Sequence, residues 1–226
     1  MSMELIESRG CFVTGTDTGV GKTLVSQMLL YRLRLTRTAV AGFKPVASGC
    51  EQTSEGLRNA DALSLQRASS IALPYASINP YAFAPPIAPH IAAEQAGVSI
   101  DCEYIRRGIA CVAAECVVVE GVGGWLVPLN RGQTIADLAQ LLGLPVVLVV
   151  GLRLGCLNHA LLTAEAIRSR GLELAGWIAN QVEPGFMCCD ENIAALQERL
   201  AAPLLLRLPW FDTSPDPAVL ADNYFH

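Results

Sequence analysis

The chain has 226 residues, of which 52% are apolar and 16% charged, with a net charge of -5. This length supports a sizeable core, and so little charge suits a fold whose central strands are buried on both faces. The acidic balance and the lack of any Lys/Arg block argue against nucleic acid or an anionic membrane surface as partner.

Apolar runs of strand length alternate with stretches of helical period along the chain. A short strand is expected at 11–14, and a helix from 21 to about 35, where Val25, Met28, Leu29, Arg32 and Leu33 share a face. A second strand, 39–43, is stopped by Pro45. Residues 73–90 carry Pro74, Pro80, Pro85, Pro86 and Pro89, a density that predicts a long irregular excursion rather than a helix or central strand. Helices follow at 101–114, 134–142, 157–170 and 188–201, with strands at 117–119, 146–150, 175–179 and 204–208. This alternation predicts one α/β domain over 1–226, with a mostly parallel sheet between two helical layers. Ligands of such folds sit at the carboxyl ends of the strands.

The eight cysteines lie inside apolar runs (Cys11, Cys111, Cys116) or side by side (Cys188, Cys189), and no Cys-x-x-Cys pair occurs. They read as thiols of a reducing compartment, neither a disulfide framework nor a zinc site. The stretch MSMELIESRG holds no signal-peptide core, and the most apolar window, 141–152, is broken by Gly143, Pro145 and Gly151. A soluble cytoplasmic protein is expected.

The first strand leads into GTDTGVGKT, residues 15–23. Gly15 and Gly21 enclose five residues, where a phosphate-binding loop usually has four. The strand–loop–helix context is otherwise that of a phosphate cradle. Gly19 and Gly21 let backbone amides turn inward, the helix dipole adds positive potential, Lys22 can reach terminal phosphates and the Thr23 hydroxyl can ligate magnesium. In VVVEGVGG, Glu120 ends a buried strand, where an acid beside such a loop can hold magnesium. In GFKPVASG, the second strand should bring Lys44 to the rim that holds Lys22, with Ser48 beyond it. Asp61, in GLRNADALSLQ, is by itself an ordinary acid at a helix start. His90 and His159 have no partner at metal or triad spacing and read as surface or satisfied polar residues.

Together FVTGTDTGVGKT, GFKPVASG, GLRNADALSLQ, NPYAFAPPIAPH, VVVEGVGGWLVPL, PVVLVVGLRLGCLNHALLT, LAGWIANQV and APLLLRLPW resemble the ATP-dependent dethiobiotin synthase family over nearly the whole chain. The extra loop residue is a feature of that family. The resemblance implies a seven-stranded, mainly parallel fold and a homodimer whose active sites straddle the interface. It implies a reaction in which carbon dioxide, 7,8-diaminononanoate and ATP give dethiobiotin, ADP and phosphate, with magnesium as cofactor. Lys44 and Lys22 take the catalytic positions. Thr23, Asp61 and Glu120 match the magnesium positions. Gly19, Val20, Gly21, Leu24, Gly121, Val122 and Gly123 fall among the ATP contacts. Asn180 matches the adenine reader, beside Gln181, Pro209, Trp210, Phe211 and Asp216. Thr18 and Ser48 help seat the substrate, and Leu154, Gly155 and Asn158 match a segment that reaches the far carboxylate from the other subunit.

Three positions depart from the family pattern: Gly19 where some members carry Glu, Arg153 for a common Lys, and Gln181 where Asp is frequent. Between 183 and 201 the likeness is weak, and no substrate contact is carried over. The alternative is a nucleotide-driven dimer switch of the partitioning-ATPase or nitrogenase-reductase kind. Those proteins place a Lys early in the loop, where this chain has Asp17.

Overall fold

The computed structural model describes residues 2–225. Helix α1 (Ser2–Arg9) runs into strand β1 (Gly10–Gly15), the phosphate loop and helix α2 (Lys22–Leu33). Strand β2 (Val40–Phe43) is followed by β3 (Val46–Ser48), β4 (Glu51–Thr53) and β5 (Gly56–Arg58), then α3 (Ala60–Ala68). The proline-rich stretch holds α4 (Tyr75–Ile78) and β6 (Tyr81–Phe83) and leads into α5 (Pro89–Gln95). The chain continues through α6 (Cys102–Ala110), β7 (Cys116–Glu120), α7 (Ile135–Leu142), β8 (Val146–Leu152) and α8 (Cys156–Ser169). It closes with β9 (Leu174–Gln181), α9 (Cys189–Arg199), β10 (Leu204–Leu208) and α10 (Pro217–Tyr224). None of the described helices is long and apolar enough to cross a membrane.

The central sheet has six strands in the order β10-β9-β8-β1-β7-β2, every neighbouring pair parallel. All six strands expected from the apolar runs are present. The family likeness implied seven, so the count is corrected by one. Pro45, lacking an N–H, follows β2, and Val46–Ser48 pairs with Tyr81–Phe83 in a separate two-stranded sheet at the rim. The proline-rich excursion is therefore irregular in the main, with one helical turn and one short strand that joins this rim pair.

Period-2 alternation assigns the strand residues to two cores. Cys11 and Val13 of β1, Val118 of β7 and Val147 and Val149 of β8 pack with Val25, Met28, Leu29 and Leu33 of α2 and with Leu220 of α10. Phe12, Val119, Val146, Leu148 and Val150 point to the other face, under Ile105 of α6, Leu138 of α7, Ala160 and Ala164 of α8 and Leu196 of α9. Every residue of β8 is buried, as a strand covered on both faces requires. Helix starts are fixed by local chemistry. Asp101 accepts the N–H groups of Glu103 and Tyr104 at the start of α6, and Asp137 accepts from the Thr134 N–H and hydroxyl at the start of α7.

The join between α1 and β1 is tight. Gly10 has φ +87°, and a Cβ there would lie 1.8 Å from the carbonyl oxygen of Val117, its partner in the neighbouring strand. Gly10→Ala should therefore cost about 3 kcal/mol, read as a lower urea midpoint at unchanged slope.

Candidate active site

Strands β1, β7 and β2 are neighbours, and their carboxyl ends deliver the phosphate loop, Glu120 and Lys44 to one rim. The loop is anchored on its far side. Thr16 N–H donates to Val149 O (3.0 Å), and Gly151 N–H donates to the Thr16 hydroxyl (3.3 Å). The Asp17 carboxylate accepts from Thr18 N–H (2.7 Å) and from Arg153 (2.5 Å). Val20 buries its side chain and gives its carbonyl to Asn180 Nδ2 (2.8 Å). Gly21 adopts φ +91°, and a Cβ there would come within 2.2 Å of that Asn180 nitrogen, so the loop needs glycine at this position. Lys22 folds back and donates to Asp17 O (2.9 Å).

Beside the loop is a charge cluster in which Lys44 and Glu120 are buried and Asp61 is partly exposed. The Lys44 ammonium lies 2.5 Å from Glu120 Oε1, 3.1 Å from Asp61 Oδ2 and 3.2 Å from Gly121 O. The Thr23 hydroxyl donates to the same Glu120 oxygen (2.9 Å). Burial disfavours the charge on Lys44, but Glu120 and Asp61 outweigh it and hold its pKa above the ordinary lysine value. Lys22 goes the other way. Burial and the nearby charge of Lys44 push it down to about 8. These are the only two lysines in a chain with 16 basic residues.

Glu120 is 1% exposed, and its second oxygen, Oε2, has no hydrogen-bond partner. A buried, unpaired carboxylate oxygen beside a hydroxyl and a second carboxylate is a hard-oxygen donor set suited to magnesium, which takes one or two carboxylates and keeps several waters. Among the described residues no group of three or more His, Cys, Asp or Glu could hold a metal by itself.

The cluster opens into a cleft of about 700 Å³. Thr18, Gly19, Gly21, Lys22, Thr23, Lys44, Ser48, Asp61, Glu120, Val122 and Gly123 line it. A second, shallower cleft of about 280 Å³ shares Gly19 with the first and is bounded by Leu24, Asn180, Gln181, Trp210 and Phe211.

A family model described as AAA domain matches residues 9–218. The ATP-dependent dethiobiotin synthetase BioD of Pseudomonas aeruginosa (strain UCBPP-PA14) is 53% identical over 213 residues, 93% of each chain. The protein of the same name from Xanthomonas oryzae pv. oryzae (strain PXO99A) is 54% identical over 201 residues, 88% of this chain and 90% of that one. The chain belongs to the ATP-dependent dethiobiotin synthetase family. A ParA family ATPase from Chlorobium tepidum TLS superposes with a TM-score of 0.52 at 12% identity, covering 89% of this chain and 85% of that one. That likeness is one of fold alone.

The synthetase fold brings most of the residues singled out in the sequence to the two clefts, but not all. Gly121 lies beneath the first cleft and offers its carbonyl to Lys44. Asn180 lines the second cleft and also spends an amide N–H on the loop, a tie that the sequence does not reveal. Pro209 precedes the lining of this cleft, and Asp216 caps α10 through Ala218 N–H instead of facing either cleft. Leu154, Gly155 and Asn158 are exposed at the start of α8 and line neither cleft, with Leu154 94% exposed. His159 is also exposed, whereas His90 is half-buried with no partner at Nδ1. Sequence reasoning missed Asn59, Ala47, Val127 and the wall formed by Pro86–Pro89.

With only two lysines present, lysine-selective NMR labelling resolves them directly. In the nucleotide-free protein one ε-amine, lost in Lys22→Arg, should titrate with a midpoint near pH 8, and the other should stay charged beyond the ordinary lysine range.

Proposed function

We propose that the protein catalyses the ATP-dependent ring closure of 7,8-diaminononanoate with carbon dioxide to dethiobiotin, releasing ADP and phosphate. The observation that carries this reading is the convergence of Lys22, Lys44, Thr23, Asp61 and Glu120 on one cleft, in a chain 53% identical to dethiobiotin synthetases.

In this reading one amine of the substrate adds to carbon dioxide and loses a proton, giving a carbamate. A carbamate oxygen attacks the γ-phosphorus of ATP, the bond to the bridging oxygen breaks and ADP leaves. The second amine attacks the carbonyl carbon of the resulting carbamic–phosphoric anhydride, and phosphate departs as the ring closes. The first transfer brings two anions together, so the site must supply positive charge and alignment. The loop amides and Lys22 hold the β- and γ-phosphates. Lys44 exchanges its two carboxylates for the transferring phosphoryl group. Thr18 and Ser48 border the acceptor end of the cleft, where the Ser48 hydroxyl is buried without a partner. Thr23, Asp61 and Glu120 would hold magnesium, whose charge neutralises the phosphate oxygens. The base occupies the second cleft against Trp210 and Phe211.

The exposed Leu154, Gly155 and Asn158 fit a surface that serves a second copy's site, so a homodimer is part of the reading. The dimer-switch alternative calls for a loop lysine reaching across to a partner. At that position Asp17 is bound within its own chain by Arg153.

Mixing the protein with 7,8-diaminononanoate, bicarbonate, Mg2+ and ATP should yield the cyclic urea by mass, together with ADP and phosphate. ATP turnover with no cyclic product would overturn the proposal. Lys44→Gln should lower kcat by about 100-fold or more while ATP affinity changes little. A parallel fall in both would make Lys44 a general phosphate clamp.

A further inference from the structure

Beyond the phosphate contacts, the proline-rich excursion makes a set of hydrogen bonds to the backbone of Lys44. Asn79 Nδ2 donates to Lys44 O (2.7 Å) and Tyr81 O (3.3 Å), and Lys44 N–H donates to Ile78 O (3.1 Å). Asn79 is 3% exposed, and its Oδ1 accepts from the Tyr75 hydroxyl (2.8 Å). The same hydroxyl accepts the N–H of Asn59 (2.7 Å). Asn59 caps α3 through Ala62 N–H (3.2 Å), and Asp61 stands in the first turn of that helix. The Arg58 guanidinium covers the Tyr75 ring at 4.3 Å from its centroid. The path closes on itself: Lys44 backbone, Asn79, Tyr75, Asn59, Asp61, and back to the Lys44 ammonium at 3.1 Å.

We propose that Tyr75 and Asn79 are positioning residues that fix the spacing between Lys44 and Asp61 during phosphoryl transfer. The inference rests on the reading of those two residues given above. Lys44 lies one residue beyond β2, where the sheet ladder has ended, and Pro45 after it has no N–H to offer. A lysine tip on a flexible stem is only as well placed as its backbone. The Asn79 amide supplies the lateral partner that a neighbouring strand would otherwise provide. The Tyr75 hydroxyl carries the same restraint to the start of α3, so the cation and the acid are set by one brace instead of two loops.

The test is Tyr75→Phe, which removes one oxygen and keeps the ring under Arg58. It should lower kcat about tenfold or more and raise the Mg2+ concentration for half-maximal rate about tenfold, with the thermal midpoint down by only a few degrees. Asn79→Asp keeps the size and the acceptor for Tyr75 but cannot donate to Lys44 O. It should lower kcat with little change in Mg2+ half-saturation, and if it does not fold, Tyr75→Phe alone decides. The Mg2+-dependent affinity of Tyr75→Phe for a non-hydrolysable ATP analogue, measured by calorimetry, reads the Asp61 arm without any diamine. A wild-type protein that makes no cyclic urea sinks the functional reading and leaves this affinity to decide the brace. Unchanged kcat and Mg2+ response in Tyr75→Phe, or a loss of activity matched by loss of folded protein, overturns the brace.

Discussion

One buried ammonium held between two carboxylates organises this molecule. Lys44 and Glu120 are both almost wholly excluded from water, and neither would tolerate that environment alone. Their pairing lets a polar cluster exist at the rim of a sheet that is otherwise apolar on both faces. It also leaves the cluster poised. In the proposed reaction each contact that Lys44 makes to Glu120 and Asp61 would be exchanged for a phosphate oxygen, and each oxygen so released would be free to hold a divalent ion. Burial that would be a cost in an inert protein keeps the attraction strong and the reorganisation small.

The sheet order makes this arrangement possible. Because β1, β7 and β2 lie side by side, three segments separated by up to about a hundred residues end within reach of one another. The second cleft is built on the other flank of the loop, from the end of β9 and the segment after β10, and Asn180 joins it to the loop through the Val20 carbonyl. Asp17 does the same towards β8 through Arg153. Both ties come from the β8–β9 flank, and they hold a loop rich in glycine to a fixed shape.

Much of this was legible in the letters. The six central strands announce themselves as continuous apolar runs, since a strand covered on both faces has no polar side to show. Lys22, Thr23, Lys44 and Glu120 stood out because a phosphate-loop reading asks for such side chains at the strand ends and the helix start beside them, whereas Asp61, an ordinary acid at a helix start, was singled out only by the family resemblance. The short rim strands, the polar hairpin of β4 and β5 and helix α1 were not, because they lack a period long enough to stand out. Helix α10 did carry a signal, an Asp cap followed by Pro217 at its first position. Tyr75 and Asn79 were hidden for a different reason. They act on backbone atoms 16 and 35 residues away, and a main-chain partner leaves no mark in the sequence. The strand count taken from family likeness failed at Pro45, where the chain leaves the main sheet for its own small ladder.

The confinement of lysine to the cleft has a practical consequence. Apart from three histidines, every other basic side chain is a guanidinium, which amine-directed reagents do not attack. Coupling this protein to a resin, a dye or a cross-linker through primary amines would find, apart from the α-amino group, only the two lysines that line the first cleft. Lys22, the more easily deprotonated of the pair, would react first. Amine acylation would thus serve as an occupancy probe for the cleft, and attachment elsewhere calls for carboxylate or thiol chemistry, with the exposed Cys111 and Cys188 as handles.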